Sequence, residues 1–214
     1  MGYTHYWYRE KTIDKATFKK IVDDFKKVLP VILDLGIKLA DGHGEGKPII
    51  NDNEIIFNGD AHCGHKQFDL GITWPAKKAK GTCQANDPKH AIKGSWFAGA
   101  KLNSRCCGGD CSHETFYFPR DLGKDAHPLP RLMYKDSNGN DVERESNEVG
   151  KYFGFTKTAY KPYDLAVNIA LIIIKHYLGD KVVVASDGEL EHWSDSIEIT
   201  QTILGYGKDF KIDR

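Results

Sequence analysis

Apolar residues recur at steps of three and four after Asp14: Phe18, Ile21, Val22, Phe25, Val28, Leu29 and Ile32 form one stripe. Lys19, Lys20, Asp23, Asp24, Lys26 and Lys27 fill the opposite side. That spacing predicts an amphipathic helix with a solvated charged face, opened by Asp14 as N-cap. Pro30 is expected to end or kink it, with Val31–Leu35 continuing as a second short helix. A second pattern follows Pro162. Leu165, Ala166, Val167 and Ile169 to Ile174 are apolar on almost every face, interrupted by Asn168. A helix of that kind is covered on more than one side. Pro162 suits its first turn and Gly179 the left-handed residue past its end. Lys181 to Ser186 is a short apolar run expected to form a central strand. Glu189 to Leu204 carries Leu190, Trp193, Ile197 and Leu204 on one stripe, a third helix with Ser186 or Asp187 as its cap.

Strand signals fill much of the rest. Tyr3 to Tyr8 alternates Tyr3, His5, Trp7 against Thr4, Tyr6, Tyr8. Ile49-Ile50 and Glu54 to Phe57 flank Asn51-Asp52-Asn53, the pattern of a hairpin with an Asx turn. Thr115 to Phe118 and Tyr152 to Phe155 read as further strands, and 121–148 as a long polar loop or small excursion. Between Asn58 and Asp110 the pattern degrades, leaving Phe68 to Trp74 and Gly94 to Leu102 as short strand-like pieces. The order strand, helix, hairpin, β-rich middle, strand, helix, strand, helix predicts an α+β fold: a mostly antiparallel sheet with helices packed on one face. A ferredoxin-like β-α-β-β-α-β kernel with a β-rich insertion is the simplest topology for it.

Composition narrows the function classes. The chain has 214 residues with 30 Lys plus Arg against 30 Asp plus Glu, so we expect one domain over 1–214 and no broad nucleic-acid surface. Its longest apolar run is too short for a bilayer and no leader-like segment opens it, so the expectation is a cytoplasmic protein without membrane contact. Five cysteines, an odd number, fit a reduced compartment or a metal site better than a disulfide framework.

Two stretches repeat a Cys-x-His pair: Cys63 with His65, and Cys111 with His113. Two thiolates and two imidazoles would suit a closed tetrahedral zinc site of structural type. Cys106, Cys107 and His62 compete as ligands, and Cys83 is incidental. A second constellation draws on three segments: His5, Tyr6 and Trp7 on the first strand; Lys157, Thr158, Tyr163 and Asp164 at the opening of the apolar helix; and Asp187 beyond the central strand. Aromatic rings can stack a planar base. Lysine and helix N-termini favour an anion, and a carboxylate can accept from a ribose hydroxyl or an amine. No P-loop, G-x-G-x-x-G, G-x-S-x-G or H-E-x-x-H motif occurs in the sequence.

MGYTHYW at the start, IIFNGD at 55–60, ETFYFPR at 114–120, FTKTAYKPYDLAV at 155–167, IIIKHYLGD at 172–180, SDG at 186–188 and LGYG at 204–207 resemble a family of functionally uncharacterised phage and bacterial proteins. Shorter members join the FNG strand almost directly to the ETF strand. The resemblance therefore implies that 61–108 is an insertion, one that contains Cys63 and His65. It implies a phage-type accessory protein and transfers no catalytic residue. The expected function is binding of a small anionic or nucleotide-like ligand or of a host protein, with counter-defence by sequestration as one role. The alternatives are an enzyme acting on a nucleotide or phosphate ester, with His5, His113, Lys157 and Asp187 in its site, and a zinc-stabilised protein-interaction module. An oligomer is compatible with each.

Overall fold

In the computed structural model, residues 3–64, 105, 107 and 109–214 are described in full, and 96–97 and 100–101 through their backbone alone. The expected α+β architecture is found, with about 31% helix and 24% strand among the described residues and antiparallel pairing between their strands. The strands are β1 (Thr4–Arg9), β2 (Leu39–Ala40), β3 (Ile49–Ile50), β4 (Glu54–Gly59), β5 (Trp96–Phe97), β6 (Ala100–Lys101), β7 (Phe116–Pro119), β8 (Leu132–Lys135), β9 (Asp141–Glu143), β10 (Tyr152–Lys157) and β11 (Val182–Ser186). The helices are α1 (Lys15–Asp34), α2 (Asp164–Leu178) and α3 (Ser194–Leu204).

One sheet has the order β10-β1-β11, with β1 antiparallel to both neighbours. The strands on either side of β1 therefore run parallel to each other, and α2 is the crossover between them. In the second sheet β4 pairs β2 and β3 along one edge and β7 along the other. A ferredoxin-like kernel is not confirmed, because β4 lies in this second sheet rather than beside β1. The segment 121–148 holds the small β8–β9 hairpin, and 94–102 contributes the β5–β6 pair. The strand-like piece at Phe68 to Trp74, and most of the expected insertion 61–108, lie outside the described residues.

A continuous apolar core joins the layers. The predicted stripe of α1 is buried apart from the partly buried Leu29, whereas Asp24 of the expected solvated face is also buried, accepting from the Tyr177 and Tyr206 hydroxyls; Phe25 stacks on Phe57 of β4 and Phe57 on Phe116 of β7. Trp7 of β1 reaches Phe116 at 5.2 Å between ring centroids, tying the first sheet to the second. Gly154 makes this possible, since a Cβ there would stand 2.4 Å from the indole nitrogen. Helix α2 is buried on nearly every side, as its unbroken apolar sequence demands, and packs against α1, α3 and β11.

Asp14 caps α1 by accepting from the Thr17 amide at 2.9 Å, and Gly179 closes α2 with φ of 53°. Two local expectations are corrected. Pro30 does not break α1, which runs on to Asp34. Both Pro30 and Lys26, whose carbonyl loses its partner, lie on the exposed side, where water can reach that carbonyl. The third helix begins as a 3₁₀ turn at Leu190–Trp193 capped by Glu189, which exchanges hydrogen bonds with His192, and not by Ser186 or Asp187.

Candidate functional site

Strand alternation divides the expected ligand residues between two faces of the β10-β1-β11 sheet. His5 and Trp7 point inward, while Tyr6 points outward. On β10, Phe153, Phe155 and Lys157 share the outer face with Tyr6 and Tyr8, whose register partners are Phe155 and Phe153. Asp187 closes the end of this face. Its carboxylate accepts from the Thr4 amide and from the Tyr6 hydroxyl, each at 2.9 Å.

On the inner side His5 is fully buried and central. Its Nε2 lies 2.7 Å from Asp164 Oδ1 and its Nδ1 lies 3.1 Å from Ser186 Oγ. Thr158 donates its hydroxyl to the same Asp164 oxygen at 2.6 Å. Arg105 donates Nε to the other at 3.0 Å, and its remaining nitrogens reach Asp195 in the first turn of α3 at 2.5 and 3.3 Å. The Asp195 carboxylate also accepts from the Ser196 amide at 2.7 Å. Arg105, Asp164 and Asp195 are each at most 1% exposed. Burial by itself would raise the Asp164 pKa, but His5, Arg105 and the Thr158 hydroxyl outweigh it and hold the group at about 2. Burial opposes the charge on Arg105, and the two carboxylates overcome it and raise its pKa. Two carboxylates at helix N-termini also meet the positive ends of α2 and α3, and Arg105 bridges them.

Tyr163, expected at the ligand, is buried in the core, with its hydroxyl donated to the Glu114 carbonyl at 2.7 Å. Trp7 is a core residue. The structure thus gathers His5, Thr158 and Asp164 in one closed network and sets Tyr6, Lys157 and Asp187 on the opposite surface. Ser186, His5 and Asp164 also form a hydrogen-bonded line. In the tautomer with the proton on Nε2, Nδ1 accepts from the Ser186 hydroxyl. Such a line can pass a proton. The neighbouring amides are engaged, however: Gly188 with Ser186 Oγ, Asp187 with the Thr4 carbonyl, and Thr158 and Ala159 with the Tyr3 carbonyl. Those four amides have no free N–H for a developing oxyanion. Beside them Ala159 and Tyr160 hold φ of 50° and 56°, with Tyr160 stacked on Tyr3 at 3.7 Å.

A separate cluster joins Cys63, just after β4, to the loop leading to β7. Cys63, Cys107 and Cys111 place their sulfurs within 4.8 Å of one another, with Cys63–Cys107 at 3.3 Å and Cys107–Cys111 at 3.2 Å. They lie close enough to bind a metal ion. The sulfurs of a tetrahedral zinc–thiolate site stand about 3.8 Å apart, given bonds of about 2.3 Å. Of the expected set, Cys63 and Cys111 come together, with Cys107 as the third thiol. His113 is turned away, its Nδ1 2.7 Å from the Lys157 carbonyl, and His65 lies outside the described residues. Neighbouring thiols and burial push the Cys111 thiol up in the absence of a cation. The loop is pinned from below: Lys161 donates Nζ to the carbonyls of Cys107 and Asp110, and the Cys111 amide donates to the Asp60 carbonyl at 3.2 Å.

No family model, curated protein or solved structure matches this chain. Among the described residues no helix is long and apolar enough to cross a membrane.

Arg105, Asp195, Phe153 and Phe155 are the participants outside the sequence-predicted set. The Phe-x-Phe alternation of β10 and the acidic first turn of α3 are sequence signals for three of them. Arg105 has none, because it sits in a stretch without periodicity and meets its partners only across the fold.

Proposed function

We propose that this protein is a binding protein that takes a planar, anionic, nucleotide-like ligand on the open face of the β10-β1-β11 sheet. One observation carries the reading: an exposed row of rings ends in a lysine. Phe153 and Phe155 are 45% and 50% exposed and stacked at 5.6 Å, and Tyr6 stacks on Phe153 at 6.2 Å. Lys157 follows Phe155 on the same face. Rings on a sheet surface offer a base its π-face, and an ammonium group at the end of the row suits a phosphate. The closed inner network, with its carboxylates already matched, supports binding over catalysis. Sequestration of a signalling nucleotide, as in counter-defence, is the role that fits such a ligand site. Zinc is the metal that suits the three-thiol cluster, since sulfur ligands favour it over hard cations such as magnesium and calcium.

Titration with a panel of nucleoside mono-, di- and triphosphates, with inorganic phosphate as control, tests the ligand. Binding that is lost in Phe153→Ala/Phe155→Ala while the fold is kept is the expected result. Binding unaffected by that pair, or a host protein captured where no nucleotide binds, overturns it. Native mass spectrometry tests the metal: one zinc per chain, absent in Cys107→Ser, is expected.

A further inference from the structure

The three sulfurs of the cysteine cluster lie together but are not equally accessible. Cys63 is partly exposed, whereas Cys107 and Cys111 are 0% and 3% exposed. Cys107 is the centre of the group, with its sulfur 3.3 Å from that of Cys63 and 3.2 Å from that of Cys111. The backbone beneath it is held by Lys161, whose ammonium donates to the Cys107 carbonyl at 2.7 Å. A metal ion on these sulfurs keeps them as thiolates, and the thiolate is the form that an oxidant attacks. The closeness that suits a metal also suits a sulfur–sulfur bond, for which the Cys63 and Cys107 sulfurs have only to close to about 2.05 Å. Cys63 is the sulfur that a small oxidant reaches first, and Cys107 is the one beside it.

We propose that Cys63 and Cys107 are a redox-sensitive pair: a hydroperoxide converts the zinc-loaded site to a Cys63–Cys107 disulfide and the metal is released. The inference rests on the zinc reading above and adds a covalent chemistry to it. The Cys63 thiolate attacks one oxygen of hydrogen peroxide, the O–O bond breaks, and the departing hydroxide takes a proton and leaves as water. Cys63 is then a sulfenic acid. The Cys107 thiolate attacks that sulfur, the S–S bond forms and the S–O bond breaks. The second hydroxide takes a second proton and also leaves as water. The two sulfurs together lose two electrons and the peroxide gains them. Thiolates are the metal-binding form of cysteine, so of the three sulfurs only Cys111 then remains a ligand.

The test treats the zinc-loaded wild-type chain with hydrogen peroxide, follows free zinc with a chromogenic chelator and maps disulfides by peptide mass spectrometry without reduction. Release of one zinc per chain in step with a Cys63–Cys107 disulfide is expected, with zinc binding restored by dithiothreitol. In Cys63→Ser, which leaves only the two buried sulfurs of the cluster, disulfide formation at Cys107 is expected to slow about tenfold or more. Zinc that stays bound while Cys63 and Cys107 remain reduced overturns the redox pair and leaves the zinc reading intact. Release accompanied by a disulfide between any other two cysteines, Cys83 and Cys106 included, does the same. Failure of the wild-type chain to take up zinc overturns both.

Discussion

The two faces of strand β1 are built from neighbouring residues and obey opposite rules. His5 faces inward, where every charge has a partner and solvent is excluded. Tyr6 faces outward onto rings that touch one another and water. The inner face spends its polar groups on holding four segments together: β1, the opening of α2, the start of α3 and Arg105. The outer face, toward β10, leaves its apolar groups uncovered. A closed network fixes a fold, and an uncovered row of rings is available to a partner. One-residue steps along a strand are enough to separate the two tasks.

That contrast can be broken most sharply from the inside. Arg105→Met is expected to destabilise the fold by about 3–5 kcal/mol, because it removes the cation that two buried carboxylates share; equilibrium urea unfolding measures it. Gly154→Ala pushes a methyl group into the Trp7 indole and should cost about 1–3 kcal/mol by overpacking, read as a fall in midpoint with unchanged slope. The inner network is also acid-sensitive. Asp164 is held below the ordinary carboxylate range, at about 2, so its contribution is complete above about pH 4. It fades as pH falls toward 2, a loss on the order of 2 kcal/mol. Unfolding free energies between pH 5 and 2 should show it, and Asp164→Asn should flatten the curve. The outer face should respond least in stability and most in binding. Phe155→Ala is expected to shift stability by about 0.5 kcal/mol while weakening a stacked nucleotide by about 1–3 kcal/mol, seen by calorimetric titration. A large stability loss at Phe155, or none at Arg105, would erase the distinction between the faces.

Much of the frame is legible in the chain because its signals are local. Asp14, the stripe of α1, the apolar run of α2 and Gly179 each act within a few residues, and each is found where its spacing predicts. The alternation of Tyr3 to Tyr8 correctly separates His5 and Trp7 from Tyr6. Spacing is silent on which loop meets which. Arg105 and Cys107 owe their roles to contacts across the fold, so Cys-x-His repetition suggests a pairing with His113 that the backbone does not bring about. Tyr163 shows the same limit from the other side: a tyrosine beside a helix start is compatible with a ligand, and only its burial and its bond to the Glu114 carbonyl reveal a core residue. Pro30 is legible in kind, yet its effect depends on which side of the helix faces water.

The pairing of β1 has a consequence in time. His5 meets Ser186 across 181 positions and Asp164 across 159, so the central strand of the first sheet can settle only after most of the chain has been brought together. Contacts of that span are late and slow to form. Until they do, the apolar length of α2 lacks its sheet, and transient exposure of such surfaces is what leads chains to aggregate. Refolding yield should therefore fall steeply with protein concentration, and a permuted chain that links residue 214 to residue 3, bringing β1 next to β11 in sequence, should refold faster than the native order.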